Sequence, residues 1–147
     1  MSRINIGCGG TKRRAGTGYD VYTDINPAKE VLDGKFVQCA AEDMSVFADK
    51  EFDYAQCHHC IEHVVDPDLA CAEIQRIAKA GRISFPPMQA EVMFGRRDHN
   101  WFVCIDRGRL LFIKKRHGSY GIPRNVTRCE LNVNFDWTGT FDWQVVQ

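Results

Sequence analysis

The chain reads as α/β, with a mainly parallel sheet closed by a C-terminal antiparallel hairpin, and three features of the sequence predict it. Short apolar runs recur between turn signals up to residue 85. One well-punctuated amphipathic helix separates the last two of those runs. Beyond residue 100 the pattern changes to alternation around glycine turns. Strands recurring around helical or loop connections indicate a parallel sheet, and period-two alternation about a tight turn indicates antiparallel pairing.

Ile4–Ile6 is the first run, ending at Gly7-Cys8-Gly9-Gly10. Tyr19–Thr23 is the second, Phe36–Cys39 the third, Phe52–Cys57 the fourth and Arg82–Phe85 the fifth. The helix before the fifth has Asp66 at its N-cap, Pro67 at its first position and Gly81 just past its end. Ala70, Ile74, Ile77 and Ala78 give it one apolar face. Only eleven residues separate Gly7 from Tyr19, Gly16 and Gly18 among them, too few for a full helix, so the helices are reduced. Residues 86–100, with Pro86-Pro87 and Gly95, read as a loop over one end of the sheet, the prolines forming a rigid turn. Trp101–Ile105 and Arg109–Ile113 flank the turn Asp106-Arg107-Gly108. Leu131, Val133, Phe135 and Trp137, then Phe141, Trp143 and Val145, alternate on either side of Thr138-Gly139-Thr140, the closing hairpin.

The 147 residues suit a single domain spanning 1–147, and a 44% hydrophobic content argues against a disordered chain. Nineteen basic and nineteen acidic residues give no net charge, which argues against a protein that coats nucleic acid. The balance is uneven: residues 1–73 sum to −6 and residues 74–147 to +6, with nine Lys/Arg against Asp98 and Asp106 within 96–128. That region reads either as a solvated basic face or as an attraction for an anionic group. No apolar run is long enough for a membrane span, and no secretory h-region opens the chain. Seven cysteines, an odd number, suit reduced thiols in a cytoplasmic setting, most of them as small core fillers.

A glycine loop after the first strand lets a ligand approach the backbone, and its N–H groups favour an anion. A dinucleotide fingerprint would need glycine where Lys12 stands. Asp24, at the tip of the second strand, is placed to accept from both hydroxyls of a ribose; otherwise it is a turn residue. In this ordered series, over roughly residues 3–115, the chain resembles the class I S-adenosylmethionine-dependent methyltransferases of the small type-11 kind, with their Rossmann-like core. The resemblance rests on Ile4-Asn5-Ile6-Gly7-Cys8-Gly9-Gly10, Asp24, Ala41-Glu42-Asp43-Met44, Phe52-Asp53-Tyr54-Ala55 and Ile61-Glu62-His63-Val64 with its following helix. It implies a cofactor site for S-adenosylmethionine built from Asn5, Gly7, Cys8, Gly9, Gly10, Asp24, Ile25, Glu42, Asp43, Met44, Cys57 and His58. Asn5 stands where the family usually has an acid, and would meet the cofactor's amino group through its carbonyl oxygen. The chain is short for the family, so its acceptor pocket is open or completed by a second copy in a homodimer.

Cys57-His58-His59-Cys60-Ile61-Glu62-His63 concentrates the remaining chemistry. On a helix, His59, Glu62 and His63 would share one face. The pattern H-x-x-E-H also occurs in zinc proteases, but the scaffold those enzymes need is absent. A divalent metal on His59, Glu62 and His63, with His99 as a further ligand from the loop, would resemble the metal-assisted O-methyltransferases of ubiquinone biosynthesis and small-RNA 3′ ends. An imidazole in place of their first carboxylate would favour zinc or another transition ion over Mg²⁺. The favoured reading has no metal. His58 and His59 then line the pocket, His63 is a structural hydrogen-bonder, and a hydroxyl acceptor is deprotonated by His59 or His58, with His99 behind. The expected function is methyl transfer to a small or glycan-like acceptor on oxygen or nitrogen, with nucleic acid and membrane not favoured. The alternative is a non-catalytic cofactor-binding or interaction module.

Overall fold

The computed structural model describes residues 1–115 and 132–147. Five parallel strands are β1 (Arg3–Ile6), β2 (Val21–Asp24), β3 (Lys35–Gln38), β4 (Tyr54–His58) and β5 (Ala80–Phe85). With β8 (Val133–Thr138) they form one sheet in the order β3-β2-β1-β4-β5-β8. The reversal of order between β1 and β4 brings the carboxyl ends of β1, β2 and β4 together, where ligands of open α/β sheets bind. β8 runs antiparallel to β5, with Ile83 opposite Phe135 and Gly81 opposite Trp137.

A second sheet has the order β6-β7-β9. The predicted hairpin is present as β6 (Trp101–Asp106) and β7 (Arg109–Lys114), in antiparallel register across Arg107-Gly108. β9 (Trp143–Val146) lies parallel to β7. The C-terminal pair is therefore not a hairpin, which corrects the expectation. Its two strands alternate as predicted but enter different sheets, because Phe135 and Trp137 of β8 cover β5 while Phe141 and Trp143 turn toward α2 (Pro67–Ile77).

Asp66 caps α2 by accepting from the amides of Asp68 and Leu69, and the predicted apolar face is wholly buried. Gly81 is not the helix stop. α2 ends at Ile77 and Gly81 lies inside β5, where a Cβ would stand 2.3 Å from the Ala55 carbonyl oxygen and 3.0 Å from the Trp137 ring nitrogen. The first helix, α1 (Lys12–Ala15), is a single turn. The segment read as a loop contains α3 (Met88–Phe94), which Pro87 initiates. Among the described residues no helix is long and apolar enough to cross a membrane.

Candidate functional site

The end of β1 turns sharply. Gly7, Gly9 and Gly10 all have φ near +70°, a conformation that L side chains rarely adopt. The turn is bound to β2: the Cys8 amide donates to the Thr23 carbonyl at 2.9 Å, and the Gly9 amide donates to Asp24 Oδ2 at 2.8 Å. The other Asp24 oxygen accepts from the Asn26 amide at 2.9 Å. The glycine turn and the acid thus face each other across the tips of adjacent strands. Ile25, 64% exposed, offers an apolar surface beside Asp24, and its carbonyl accepts from Gln38 at the end of β3.

These residues suit a molecule that joins an amino acid to a nucleoside. A Cβ on Gly10 would press to 3.3 Å on the Pro27 carbonyl, and one on Gly7 would stand 2.4 Å from Cys60 Sγ, so the turn accepts only glycine at its closest approaches. The stem of Arg14 lies over Gly9, and it is a flexible, exposed side chain that a ligand can displace.

Other expected contacts fall elsewhere. Asn5 is buried and its amide donates to the Ala15 carbonyl at 2.6 Å, closing α1 against β1. Met44 is fully buried in the main core, its own amide donating to Glu73 Oε2 at 2.8 Å, so it does not present an apolar face to a ring in this arrangement. Cys8 and Cys57 are buried. Burial pushes the Cys8 thiol up, and the hydrogen bond with Cys60 together with burial does the same for Cys57. Glu42 accepts from the Val65 amide at 2.7 Å, whereas Asp43 is exposed and accepts from the Ser45 amide.

The segment from His59 to Val65 is a turn rather than the start of a helix, because helical geometry begins only at Pro67. His59 has φ 50° and its amide donates to the Ser84 carbonyl, which carries the chain out of β4. His59 Nδ1 lies 3.1 Å from Glu62 Oε1, and its Nε2 lies 2.6 Å from Asn132 Oδ1. The His58 ring meets that of His59 edge-on at 4.5 Å. These two stand at the carboxyl end of β4, next to the glycine turn through Cys60.

His99 is buried, its Nδ1 lies 2.7 Å from Glu91 Oε2, and its ring packs edge-on against His63 at 4.5 Å. The predicted metal set of His59, Glu62 and His63 is also rearranged. Glu62, His63 and His99 each bring one donor atom within 4.8 Å of the others, while His59 holds the outer oxygen of Glu62. Sequence reasoning missed α3 and Glu91; Glu91 lies eight residues before His99, but α3 ends at Phe94 between them, so no single element carries both. Burial raises the Glu91 carboxyl, but its bonds to His99 and Lys115 outweigh that and leave it below its usual range. The basic region is smaller than its linear count, since Arg96 pairs with Asp98, Arg109 with Asp106 and Lys115 with Glu91.

The family model described as methyltransferase domain matches residues 4–85, from β1 to the end of β5. Among solved structures, a SAM-dependent methyltransferase of Methanosarcina mazei is 20% identical over 72% of this chain and 66% of its own, with a TM-score of 0.50. A SAM-dependent methyltransferase of Thermotoga maritima is 22% identical over 65% of this chain and 48% of its own, with a TM-score of 0.48. The 1,6-didemethyltoxoflavin-N1-methyltransferase of Burkholderia thailandensis, seen with 1,6-didemethyltoxoflavin and S-adenosylhomocysteine bound, is 18% identical over 59% and 44%, with a TM-score of 0.45. The chain thus spans about half the length of the last two. No curated protein matches it.

Proposed function

This chain belongs to the methyltransferase-domain family, whose methyl donor is S-adenosylmethionine, and we propose that it is an active enzyme that methylates a hydroxyl or amine of a small or glycan-like acceptor. The observation that carries this reading is the 2.8 Å bond from the Gly9 amide to Asp24 Oδ2. It supports the reading because the glycine turn, which would receive the amino-acid part, is tied to the carboxylate that would receive the ribose. The sulfonium of the bound donor makes its methyl group electrophilic, so the chain's task is mainly to hold two reactants in line, worth as much as ~7–11 kcal/mol of barrier.

Asp24 accepts from the ribose hydroxyls, and Ile25 covers one face of the base. His59 takes the acceptor proton when the acceptor is a hydroxyl. Glu62 fixes Nδ1–H on that ring, which leaves Nε2 as the basic nitrogen. Nε2 lies 2.6 Å from Asn132 Oδ1, so proton transfer requires Asn132 to turn aside, and Asn132 becomes a gate on the base. His58, exposed beside it, lines the acceptor side.

Calorimetry with S-adenosylmethionine and S-adenosylhomocysteine tests the reading. Both are expected to bind, and Asp24→Ala is expected to weaken both by roughly 10–100-fold, the worth of a hydrogen bond to a charged group. Failure of either compound to bind the full chain removes the proposal. A second reading, a module that binds the cofactor without turnover, is favoured by the single-turn α1. Binding without turnover across a panel of hydroxyl and amine acceptors would select it.

A further inference from the structure

We infer that Glu62, His63 and His99 form a binding site for one divalent transition-metal ion. Family membership does not call for such an ion, and the inference is independent of whether the chain binds S-adenosylmethionine. Three donor atoms, one from each residue, lie within 4.8 Å of one another. Two imidazoles and a carboxylate form a donor set suited to zinc and its neighbours rather than to Mg²⁺ or Ca²⁺.

The carboxylate supplies the second observation. Glu62 is 1% exposed, and its Oε2 has no hydrogen-bond partner among the described residues. A buried carboxylate oxygen without a partner carries a large desolvation cost, which a cation would offset. Oε1 is already held by His59 Nδ1, so Glu62 is oriented before any ion arrives.

Both histidines are oriented in the same manner. His63 Nδ1 lies 2.9 Å from the Asp98 carbonyl oxygen, and His99 Nδ1 lies 2.7 Å from Glu91 Oε2. Each acceptor fixes the proton on Nδ1 and leaves Nε2 as the donor to a metal. This is the arrangement in which a ligating imidazole is backed by a carbonyl or carboxylate. The backbone holds the halves together: the Asn100 amide donates to the Glu62 carbonyl at 2.8 Å, and the Asn100 side chain to the His63 carbonyl at 2.7 Å. Charge also favours a cation: among the described residues Glu91 backs His99 and Asp98 backs His63, while Lys115 and Arg96 pair with those same two carboxylates. Glu62 and His99 are buried, whereas the His63 side chain is 34% exposed, so the ion is reached from His63's side. Three protein ligands leave a fourth position for water or an oxygen of a bound molecule.

The test is titration of the chelator-treated full chain with Zn²⁺ and with Co²⁺, read by calorimetry and by the visible absorption of Co²⁺. We expect one ion per chain, with Zn²⁺ displacing Co²⁺. Glu91→Gln, which acts only through His99, is expected to weaken binding roughly 10–100-fold, and Glu62→Gln and His99→Ala by more than that. Because buried variants risk misfolding, half-exposed His63→Ala carries the same expectation, with folding checked by circular dichroism. Absence of stoichiometric binding at micromolar metal overturns the inference. So does binding that survives His63→Ala and Glu91→Gln unchanged.

Discussion

Gly7 shows how closely single atoms constrain this site. Its φ of 69° alone costs an L residue about 1–2 kcal/mol, and an added Cβ would stand 2.4 Å from Cys60 Sγ and 2.5 Å from Cys60 Cβ. Gly7→Ala is therefore expected to lower stability by about 2 kcal/mol or more, read as a shift in the urea midpoint. Cys60→Ala should not rescue it, because the remaining Cβ is the same obstacle. The places of Gly7, Gly9 and Asp24 could be read from the sequence, since a glycine loop closing one strand and an acid at the tip of the next are local signals. Asn5 and Met44 could not. Nothing local distinguishes an asparagine that meets a ligand from one that ties off a helical turn, or a methionine on a pocket wall from one in the core. His99 was legible as a candidate, but its role depended on Glu91, and only the fold brings those two together.

At the scale of elements, α2 could be read almost whole, because its cap, first-turn proline and apolar face are all local signals. Its end could not, because the glycine used as a stop was required instead by the approach of β4 and Trp137 to β5. α3 was missed because two prolines and a glycine outweighed a seven-residue helix. α2 also anchors the segment after β3. Glu73 accepts from the Met44 amide at 2.8 Å and from Arg76 Nε at 2.6 Å, and Arg76 donates onward to the carbonyls of Met44 and Phe47. The Arg76 guanidinium holds the Glu73 carboxyl below its ordinary value of 4.5. Its folded value is depressed, so its contribution is complete above that value and is lost as pH falls through the lower folded one. Glu73→Gln is expected to cost about 1–3 kcal/mol at neutral pH. It should also flatten the acid limb of the stability curve, measured by urea unfolding as pH is lowered from neutral through the carboxylate range.

For the molecule as a whole, the divided C-terminal segment matters most. Alternation and the glycine turn marked both β8 and β9, but the partner of each strand depends on contacts far along the chain. β8 supplies the free edge of β5, and β9 supplies that of β7. Trp143 ties β9 to α2 by donating to Asp68 Oδ1 at 2.7 Å, and Trp101 ties β6 to the turn after β4 through the Val64 carbonyl at 2.8 Å. Trp143→Phe keeps the ring but removes the donor, and is expected to cost about 0.5–1.5 kcal/mol, seen as a lower urea midpoint for the single transition of both sheets. The same division of labour bears on synthesis. β1 to β5 leave the ribosome before β8, the strand that pairs with the outer edge of β5, and that edge waits beside neighbouring nascent chains until 133–138 emerge. Slower translation across the intervening stretch should therefore favour chaperone capture over productive closure.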